Sequence, residues 1–411
     1  MRILFLSQFF DPEPFFKALP FAKELAKRGH SVEVLTGFPN YPGGRVYPGY
    51  RIKLIAREQM DGISIIRVPL YPSHDRSTFK RVLNYASFAF AAGILGLFVV
   101  KRADVAYVYH PPPTVGFAAI MMRIFRGIRF VYDIQDLWPD SLEATGMIRS
   151  KRALTLVAGW CSVVYRFASA IVVLSHGFKE RLISRGVPAD KIHVIFNWSP
   201  DQPATKDLQT GSRTTPAAAF SGKFNIVFAG NMGPAQALDT VLEAAEQMRD
   251  KASNVQFVFI GDGISLDDLK KKALERQLNN VVFLPRVSPA EAGRILQQAD
   301  ALLVHLKDDP LFAITIPSKT QAYLSAGKPI LIGIRGDAAR LVESANAGFS
   351  FKPESPSSLV SAVERLTCLA PAEREALGMN GKMYYEKNLS RGAAVDQFEQ
   401  LFARVRQSVL D

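Results

Sequence analysis

Short apolar segments alternate with amphipathic helical segments along almost the whole chain, and the alternation runs twice. In the first half the apolar segments include RILFLSQF, SVEVLT, ADVAYVYH, RFVYDI and AIVVLS. In the second half they are NIVFAG, VQFVFIG, VVFLP, ADALLVHL and PILIGI. Apolar strands that are separated by helices are typical of a parallel sheet covered by helices on both faces. The sequence therefore predicts an α/β fold with two doubly wound, Rossmann-like domains that face a central cleft.

A polar, loop-like segment from about residue 200 to residue 223 separates the two alternating regions. The chain has 411 residues, and a single hydrophobic core rarely grows beyond about 250–300 residues. We therefore expect one domain over residues 1–200 and a second over residues 201–390. The last segment, about 391–411, has helical apolar spacing, and we expect it to pack back on the first domain.

The basic residues are distributed unevenly between these halves. Residues 1–200 contain 26 Lys and Arg against 14 Asp and Glu, whereas residues 201–411 contain 24 of each. A one-sided basic excess indicates an anionic partner, namely nucleic acid, acidic lipid or a phosphorylated substrate, unless it is an ordinary solvated surface. The chain has neither an arginine-rich tract nor an aromatic RNA-binding signature, so we expect no nucleic-acid partner.

One apolar segment, ASFAFAAGILGLFVV at residues 86–100, is flanked by basic pairs at residues 80–81 and 101–102. It is shorter than the roughly 20 apolar residues that a transmembrane helix needs. Two interpretations remain open. The segment is either a buried core helix or a helix whose apolar face enters one leaflet of an anionic membrane surface.

The cysteines and the N-terminus favour a cytoplasmic protein. Cys161 and Cys368 lie far apart and have no metal-binding spacing, so the sequence predicts neither a disulfide framework nor a zinc site. The first apolar run ends early at a Pro-rich turn and lacks a cleavage site, which indicates a buried strand and not a signal peptide. We expect the protein in the cytoplasm, on the inner face of the membrane if residues 86–100 contact lipid.

Two strand-to-helix turns in the second half contain paired glycines. FAGNMGPAQALD carries Gly230 and Gly233, and FIGDGIS carries Gly261 and Gly263. Glycines at such turns let backbone N–H groups approach an anion, although many α/β loops use glycine for conformational reasons alone. The second turn lacks the third glycine and the distal acid of a dinucleotide fingerprint, so NAD is disfavoured.

A third site of this type is predicted where TIPSKTQAYLSAGKPILIGI opens a helix. Pro317 and Ser318 begin it, and Lys319 stands in a first turn that has no carboxylate. The N–H groups of Ser318, Lys319 and Thr320 point outward at the positive end of the helix. These features indicate a diphosphate site, and the alternative interpretation is a structural helix with an ordinary N-terminus.

The first half offers carboxylates and histidines at strand ends. Asp133 and Asp136 follow a strand in YDIQDLWPDS, where a carboxylate can orient a sugar hydroxyl or act as a base, or simply form a turn. His110 and His176 also stand at strand ends. The chain has no DxD or HExxH motif and no closely spaced histidine pair, so we expect no metal and no cofactor.

In this setting the chain resembles retaining glycosyltransferases of family four, which have the GT-B fold. Five blocks carry the resemblance in the family's order, and they span nearly the whole chain: FFDPEPFFKALPFAKELAKRGHSVEVLTGFPNYPGG, YDIQDLWPDS, VVLSHGFKERL, FAGNMGPAQALDTVLEAA and IPSKTQAYLSAGKPIL. FPNYPGG, RVPLYPSHD, NYASFAFA and PSKTQAYL are similar to transferases of N-acetylfucosamine and related aminosugars. This resemblance implies a UDP-linked N-acetylated deoxyhexosamine donor, such as L-FucNAc, and a polyprenyl-diphosphate-linked saccharide acceptor in O-antigen or capsule assembly.

On this basis we expect acceptor binding in the first domain and donor binding in the second. The expected donor-site residues are Gly230, Asn231, Gly233, Gly261, Gly263, Phe283, Arg286, Pro317, Ser318, Lys319, Thr320 and Gln321. The expected acceptor-site residues are Glu13, Lys17, His110 and His176. Catalytic roles are expected for Asp133, Asp136 and Lys319, mainly through positioning and stabilisation of the leaving group.

The chain departs from the family pattern where carboxylates and cations are expected. Ile314 and Ala322 occupy the places of two family glutamates, and Gln321 is a candidate substitute. Asn231 and Gln236 stand where Arg and Lys often hold the diphosphate, and Gln135 stands in the place of a family histidine. Two alternatives therefore stay open, a GT-B UDP-sugar epimerase and a non-catalytic, membrane-peripheral subunit of a polysaccharide assembly complex.

Overall fold

The computed structural model describes residues 1–73, 78–144, 147–148, 150–199, 220, 222–249 and 254–407. The chain divides into two compact units. Unit 1 comprises Met1–Phe196 and Ala394–Asp411, and unit 2 comprises Asn197–Ala393. The predicted boundary at residue 200 and most of the polar segment that follows it lie outside the described residues.

Unit 1 is built on an eight-stranded sheet. Its strands, in chain order, are β1 Arg2–Ser7, β2 Ser31–Gly37, β3 Ala56–Met60, β4 Ile63–Val68, β5 Val105–His110, β6 Phe130–Ile134, β7 Ala170–Val173 and β8 Ile192–Val194. They lie side by side in the order β3-β4-β2-β1-β5-β6-β7-β8, and all neighbours are parallel except β3 and β4. The central strands β5 and β6 are buried along their whole length, as a sheet covered on both faces requires.

Helices cover this sheet, and each follows a strand except Lys151–Phe167 and the C-terminal helix. Their bounds are Leu19–Lys27, Thr78–Val99, Val115–Arg126, Asp140–Ala144, Lys151–Phe167, His176–Ser184 and Arg391–Gln407, and a short 3-10 helix spans Ala189–Lys191. Serine side chains cap the N-termini of two of these helices. Ser150 and Ser175 each accept a hydrogen bond from the backbone N–H group three residues later.

The C-terminal helix Arg391–Gln407 completes the core of unit 1. Phe398 is fully buried, and its ring lies 5.1 Å from that of Phe21 and 5.5 Å from that of Tyr107. At the edge of this contact, Glu399 forms ion pairs with Arg28 and His30. The C-terminal helix therefore packs on the first domain, against helix Leu19–Lys27 and strand β5.

The apolar segment at residues 86–100 belongs to a longer helix than its composition predicts. Helix Thr78–Val99 has 22 residues, and the part from Phe79 to Val99 is long and apolar enough to cross a membrane by length and composition. This corrects the expectation that the segment is too short. One face packs on β2, β4 and helix Val115–Arg126, and at Gly96 an added Cβ would lie 2.3 Å from Met122.

Unit 2 contains a six-stranded, fully parallel sheet, one strand more than the apolar pattern predicts. The strands are β9 Phe224–Ala229, β10 Val255–Ile260, β11 Val281–Leu284, β12 Ala301–His305, β13 Ile330–Gly333 and β14 Gly348–Ser350, in the order β11-β10-β9-β12-β13-β14. The helices are Asp239–Arg249, Leu266–Glu275, Pro289–Gln298, Pro310–Ala313, Ser318–Ala326, Asp337–Ser344, Pro356–Cys368 and Pro371–Asn388, with a 3-10 helix at Pro234–Gln236. The prediction of two Rossmann-like domains is confirmed.

We expect Phe398→Ala to lower the free energy of unfolding by about 3–5 kcal/mol, because truncating a fully buried aromatic side chain leaves a cavity. Urea unfolding followed by tryptophan fluorescence measures this, since Trp138 and Trp160 both lie in unit 1. Arg406→Ala, at an exposed position of the same helix, is the matched control. Equal midpoints for the two variants would contradict the packing role of Phe398.

Candidate functional site

In unit 2, the start of helix Ser318–Ala326 lies beside the end of strand β9. The hydroxyl of Tyr323 accepts a hydrogen bond of 2.8 Å from Ala229 N and so ties the helix to the strand. Lys319, in the first turn of the helix, places its Nζ 3.6 Å from the centre of the Phe228 ring. The same Nζ lies beside the turn that follows β9, because an added Cβ on Gly230 would be 3.3 Å from it.

The Lys319 ammonium is buried without a hydrogen-bond partner among the described residues. The face of the Phe228 ring lies 3.6 Å from the charge, and this interaction is worth far less than the hydration that burial removes. Burial consequently lowers the pKa of Lys319 to about 7. A buried, unpaired cation at a helix N-terminus without acidic residues is the environment in which a bound anion gains the most.

The first turn of this helix supplies further hydrogen-bond donors. Pro317 is the N-cap, no side chain caps the helix, and Thr320 N donates to Pro317 O at 2.8 Å. The N–H groups of Ser318 and Lys319 therefore remain at the open end of the helix. The Thr320 hydroxyl oxygen is also buried without a partner among the described side chains.

Gln321 belongs to helix Ser318–Ala326. It is buried, with 2% of its surface exposed. In the amide orientation that satisfies its neighbours, it donates to Pro317 O at 2.8 Å and to Ser318 O at 3.3 Å. Its amide is thus engaged within the helix start, and the contact of Gln321 with the donor stays a prediction. Ile314 and Ala322 carry no polar side chain, so neither of the two family positions supplies a carboxylate.

The four turn glycines use their N–H groups inside the protein. Gly230 N donates to Ile260 O (2.8 Å), Gly233 N to Gln236 Oε1 (2.9 Å), Gly261 N to Leu284 O (3.3 Å) and Gly263 N to Asp262 Oδ1 (2.7 Å). These four N–H groups are therefore engaged within the protein. The role of the two turns in donor binding stays a prediction.

The glycines are required because two turns pack backbone against backbone. Gly261 has φ +138°, and an added Cβ would lie 2.1 Å from Gly230 O. Gly263 has φ +153°, and its Cβ would lie 2.2 Å from Met232 O. No side chain fits at either position. The turn after β10 therefore fixes the position of the turn after β9. The turn after β9 lies beside the Lys319 ammonium.

Gln236 and His305 form a polar bridge beneath these turns. Gln236 Oε1 also accepts a weak hydrogen bond from Asn231 Nδ2, at 3.4 Å. His305, at the end of β12, accepts from Glu354 N at Nε2 (3.2 Å), so its Nδ1 carries the proton and donates to Gln236 O at 2.7 Å. Sequence reasoning missed His305, although a lone polar residue ending the apolar strand ALLVH was a usable signal.

The residues predicted to flank the nucleotide base lie at the edge strand β11. Phe283 is half-buried and stacks on Phe259 with ring centres 5.1 Å apart. It also packs against the hydrophobic core of unit 2. Arg286 follows the strand and is exposed. The structure thus gives Phe283 a packing role and leaves the guanidinium of Arg286 accessible to a ligand.

In unit 1, Asp133 lies in a buried polar network. Asp133 Oδ2 accepts from Lys17 Nζ at 2.8 Å and from the Tyr107 hydroxyl at 2.6 Å, and Oδ1 accepts from Gln135 Nε2 at 2.7 Å. Asp133 is 1% exposed and Lys17 is 1% exposed. In this structure both residues are paired in the interior. The catalytic role of Asp133 and the acceptor contact of Lys17 stay predictions.

Glu13 and His110 are also interior residues. Glu13 accepts hydrogen bonds from the backbone N–H groups of Asn40 (2.8 Å), Tyr41 (2.7 Å) and Phe10 (3.1 Å). Burial raises the pKa of Glu13 to about 7 in spite of these donors. Burial lowers the pKa of His110 to about 3, so its ring is neutral. In this structure Glu13 organises a loop, and His110 packs between Tyr132 and Trp138. Their contacts with an acceptor stay predictions.

Asp136 and His176 are the two predicted first-domain residues that are exposed. Crowding by surrounding protein raises the pKa of the Asp136 carboxyl above its ordinary value. His176 begins helix His176–Ser184, and its ring lies 6.0 Å from that of Phe196. Among the residues that the structure describes, no group of three or more His, Cys, Asp and Glu could hold a metal ion.

Comparisons with known proteins match both units. The family model for a glycosyl transferase 4-like domain matches residues 18–198, and that for glycosyl transferases group 1 matches residues 215–383. WcaI of Escherichia coli (strain K12), which carries the name of a colanic acid biosynthesis glycosyl transferase, is 27% identical over 385 residues, or 91% of this chain and 92% of that protein.

Two solved structures share the fold. Sucrose-phosphate synthase from Thermosynechococcus elongatus gives a TM-score of 0.71 at 15% identity and covers 99% of this chain and 100% of its own. HepE from Anabaena, in complex with UDP, gives a TM-score of 0.64 at 15% identity and covers 98% of this chain and 100% of its own. These likenesses confirm the predicted fold.

We expect Gly261→Ala to destabilise the protein by roughly 1–3 kcal/mol more than Gly327→Ala, because only the first substitution drives a Cβ into a backbone carbonyl. Both glycines have positive φ, but an added Cβ at Gly327 meets nothing closer than 3.4 Å. Urea unfolding followed by circular dichroism measures the difference. Equal losses in the two variants would show that conformational strain, and not the contact with Gly230, explains the glycine.

Proposed function

The chain belongs to the group 1 glycosyltransferases and has the GT-B fold, and we propose that it transfers a sugar from a UDP-linked donor bound in unit 2 to a lipid-linked saccharide. The observation that supports this most strongly is the buried, unpaired ammonium of Lys319 at the start of helix Ser318–Ala326. A nucleoside diphosphate supplies the negative charge that this environment lacks. The first-turn N–H groups add directional hydrogen bonds to the same anion.

Lys319 performs the task that two loop cations perform elsewhere in the family. The turn after β9 carries Asn231 and Gln236 in their places, and these side chains bond to each other and to Gly233. The positive charge comes instead from a helix on the far side of the turn. When the sugar–phosphate bond breaks, negative charge grows on the leaving diphosphate, and a preorganised ammonium stabilises that charge.

UDP is the proposed nucleotide. The Anabaena protein of the same fold was solved in complex with UDP, and Arg286 leaves an accessible guanidinium at the edge of the sheet where a base or ribose can be held. We propose that the sugar is an N-acetylated deoxyhexosamine such as L-FucNAc, transferred with retention. This rests on the sequence blocks that resemble aminosugar transferases.

The acceptor is proposed to be a polyprenyl-diphosphate-linked saccharide in the assembly of a surface polysaccharide. The similarity to WcaI, named for colanic acid biosynthesis, supports polysaccharide assembly. On the acceptor side Asp136 is the exposed carboxylate at a strand end, and its raised pKa makes it a stronger base than an ordinary aspartate. Asp133 contributes indirectly, because its buried network holds the strand that precedes Asp136.

One observation favours the alternative of a non-catalytic subunit, namely the lack of carboxylates at Ile314 and Ala322. That alternative requires no affinity for a nucleotide, and it does not explain a buried ammonium without a partner. Nucleotide binding therefore separates the two proposals. An epimerase would need the same donor site, and it would convert free UDP-sugar in the absence of any acceptor.

We expect Lys319→Met to weaken UDP binding about 10- to 100-fold, because a charge-assisted contact is worth about 1.5–3 kcal/mol. Isothermal titration calorimetry measures the affinity. Lys328→Met, in the same unit, is the control and should bind UDP as the wild type does. Unchanged affinity in the Lys319 variant would remove this residue from the donor site, and no binding by the wild type to UDP, GDP or dTDP would favour the non-catalytic subunit.

UDP binding by the wild type should also weaken as pH rises from 7 to 9. The free-state pKa of Lys319 is lowered to about 7, and the bound diphosphate favours the protonated form. The affinity is therefore greatest below pH 7 and declines as the pH passes the free-state pKa and the ammonium must first gain a proton. The same titration of Lys319→Met should lack this slope. A parallel slope in the variant would assign the pH dependence to another group.

We also propose that unit 1 binds the anionic inner surface of the cytoplasmic membrane. Helix Thr78–Val99 exposes Phe79 (75%), Phe90 (57%) and Phe98 (81%) to solvent. Ile124 and Phe125 of the adjoining helix are also exposed. Basic residues lie close in sequence to both ends of the helix, and the basic excess of the chain falls in residues 1–200. An apolar face with flanking cations fits acidic headgroups over a hydrocarbon layer.

We expect the double variant Phe90→Ser, Phe98→Ser to lose most of its binding to vesicles of phosphatidylglycerol and phosphatidylcholine. Both large apolar side chains that would enter the lipid are removed. Co-sedimentation at low salt measures this. Leu274→Ser, at an 80% exposed position of unit 2, is the matched control. Equal sedimentation of the double variant and the wild type would contradict the proposed surface.

A further inference from the structure

A cavity of about 340 Å³ that is open to solvent lies at the surface of unit 1, between strand β8, helix His176–Ser184 and the C-terminal helix, and its residues His176 and Arg404 are exposed. It is separate from the donor-site residues, which all belong to unit 2. Its polar lining comes from His176, Lys179, His193, Gln397, Gln400 and Arg404. No acidic side chain lines it. A volume of this size holds a small organic molecule, since ligand pockets commonly measure about 300–1,000 Å³.

Lys179 and Arg404 form no ion pair among the described residues. Neither forms a side-chain hydrogen bond there, whereas Arg28, Arg67 and Arg123 of unit 1 bond to carboxylates or carbonyls. The positive charges of Lys179 and Arg404 also act on His193. Burial, Arg404 and Lys179 lower its pKa, and among acidic groups only Asp190 acts against them.

The cavity is formed by two elements that are neighbours in sequence and by the distant C-terminal helix. Lys179 stands on the helix after β7, His193 is in β8, and Arg404 stands near the end of the C-terminal helix. Like charges that are brought together in one cavity repel each other, and a bound anion removes that repulsion. A diphosphate offers several acceptor oxygens, which matches a lysine, an arginine and two imidazoles approaching from different sides.

We propose that this cavity is a second anion site, which binds a phosphate or diphosphate group through Lys179, His193 and Arg404. Ile192, Val194 and Leu401 also line the cavity, so an apolar or sugar moiety attached to the phosphate has a surface to contact. The ligand is therefore a phosphate-bearing organic molecule. If the function proposed above holds, the diphosphate of the lipid-linked acceptor is one source, and a soluble phosphate ester is the other.

The test uses the full chain carrying Lys319→Ala, so that binding at the donor site does not contribute. Inorganic diphosphate and geranyl diphosphate are titrated separately by calorimetry at constant ionic strength. We expect both to bind and Arg404→Gln to weaken them about tenfold or more. Arg406→Gln removes the same charge from the same helix at an exposed position outside the cavity, and it should bind as the parent does.

The outcomes distinguish binding in this cavity from binding at the proposed donor site. Tighter binding of geranyl diphosphate than of diphosphate would assign the cavity to a prenyl-linked ligand, and equal binding would assign it to a soluble phosphate. Either result supports the site. No binding of either probe, or equal weakening by Arg404→Gln and Arg406→Gln, would overturn it. UDP binding to the chain with Lys319 intact should be unaffected by Arg404→Gln, so a failure here leaves the donor proposal standing.

Discussion

Desolvation of the Lys319 ammonium is the constraint around which the proposed donor site of unit 2 is arranged. The ring of Phe228 lies under the charge, Tyr323 fixes the helix that carries it, and the close contact of two glycine turns holds the wall beside it. None of these neighbours neutralises the ammonium. The protein therefore keeps a cation in an unfavourable environment, and the free energy that this costs becomes available when an anion binds.

The sequence was sufficient to predict the fold, because apolar strands alternating with helices leave few arrangements other than a parallel sheet. It was less informative about side-chain partners. Paired glycines predicted donors for a phosphate, but spacing cannot reveal that Gly230 and Gly261 are needed for backbone packing and that their N–H groups are already bonded. Asp133 stood at a strand end as predicted, yet Lys17, 116 residues away, neutralises it in the interior.

Contacts between residues that are distant in the sequence also limit what can be predicted about the site. The prediction of a diphosphate site at Lys319 rests on a helix start without acidic residues, a local signal that needs no knowledge of distant contacts. His305 and Tyr323 act through partners 69 and 94 residues away, and composition alone does not indicate such bonds. The apolar helix was predicted too short because Asn84 and Tyr85 interrupt its hydrophobic run, whereas the polar Asn84 is buried and bonded to Gln8 and the Tyr71 carbonyl.

The placement of the C-terminal helix has a consequence for biosynthesis. Unit 2 is an uninterrupted stretch of chain, whereas unit 1 needs residues from both ends of the sequence. During translation the ribosome supplies everything that unit 2 requires before it supplies Phe398, which fills the core of unit 1. The core of unit 1, whose sheet is synthesised first, is thus completed last. Until Phe398 is synthesised, the apolar surface around Phe21 and Tyr107 stays exposed.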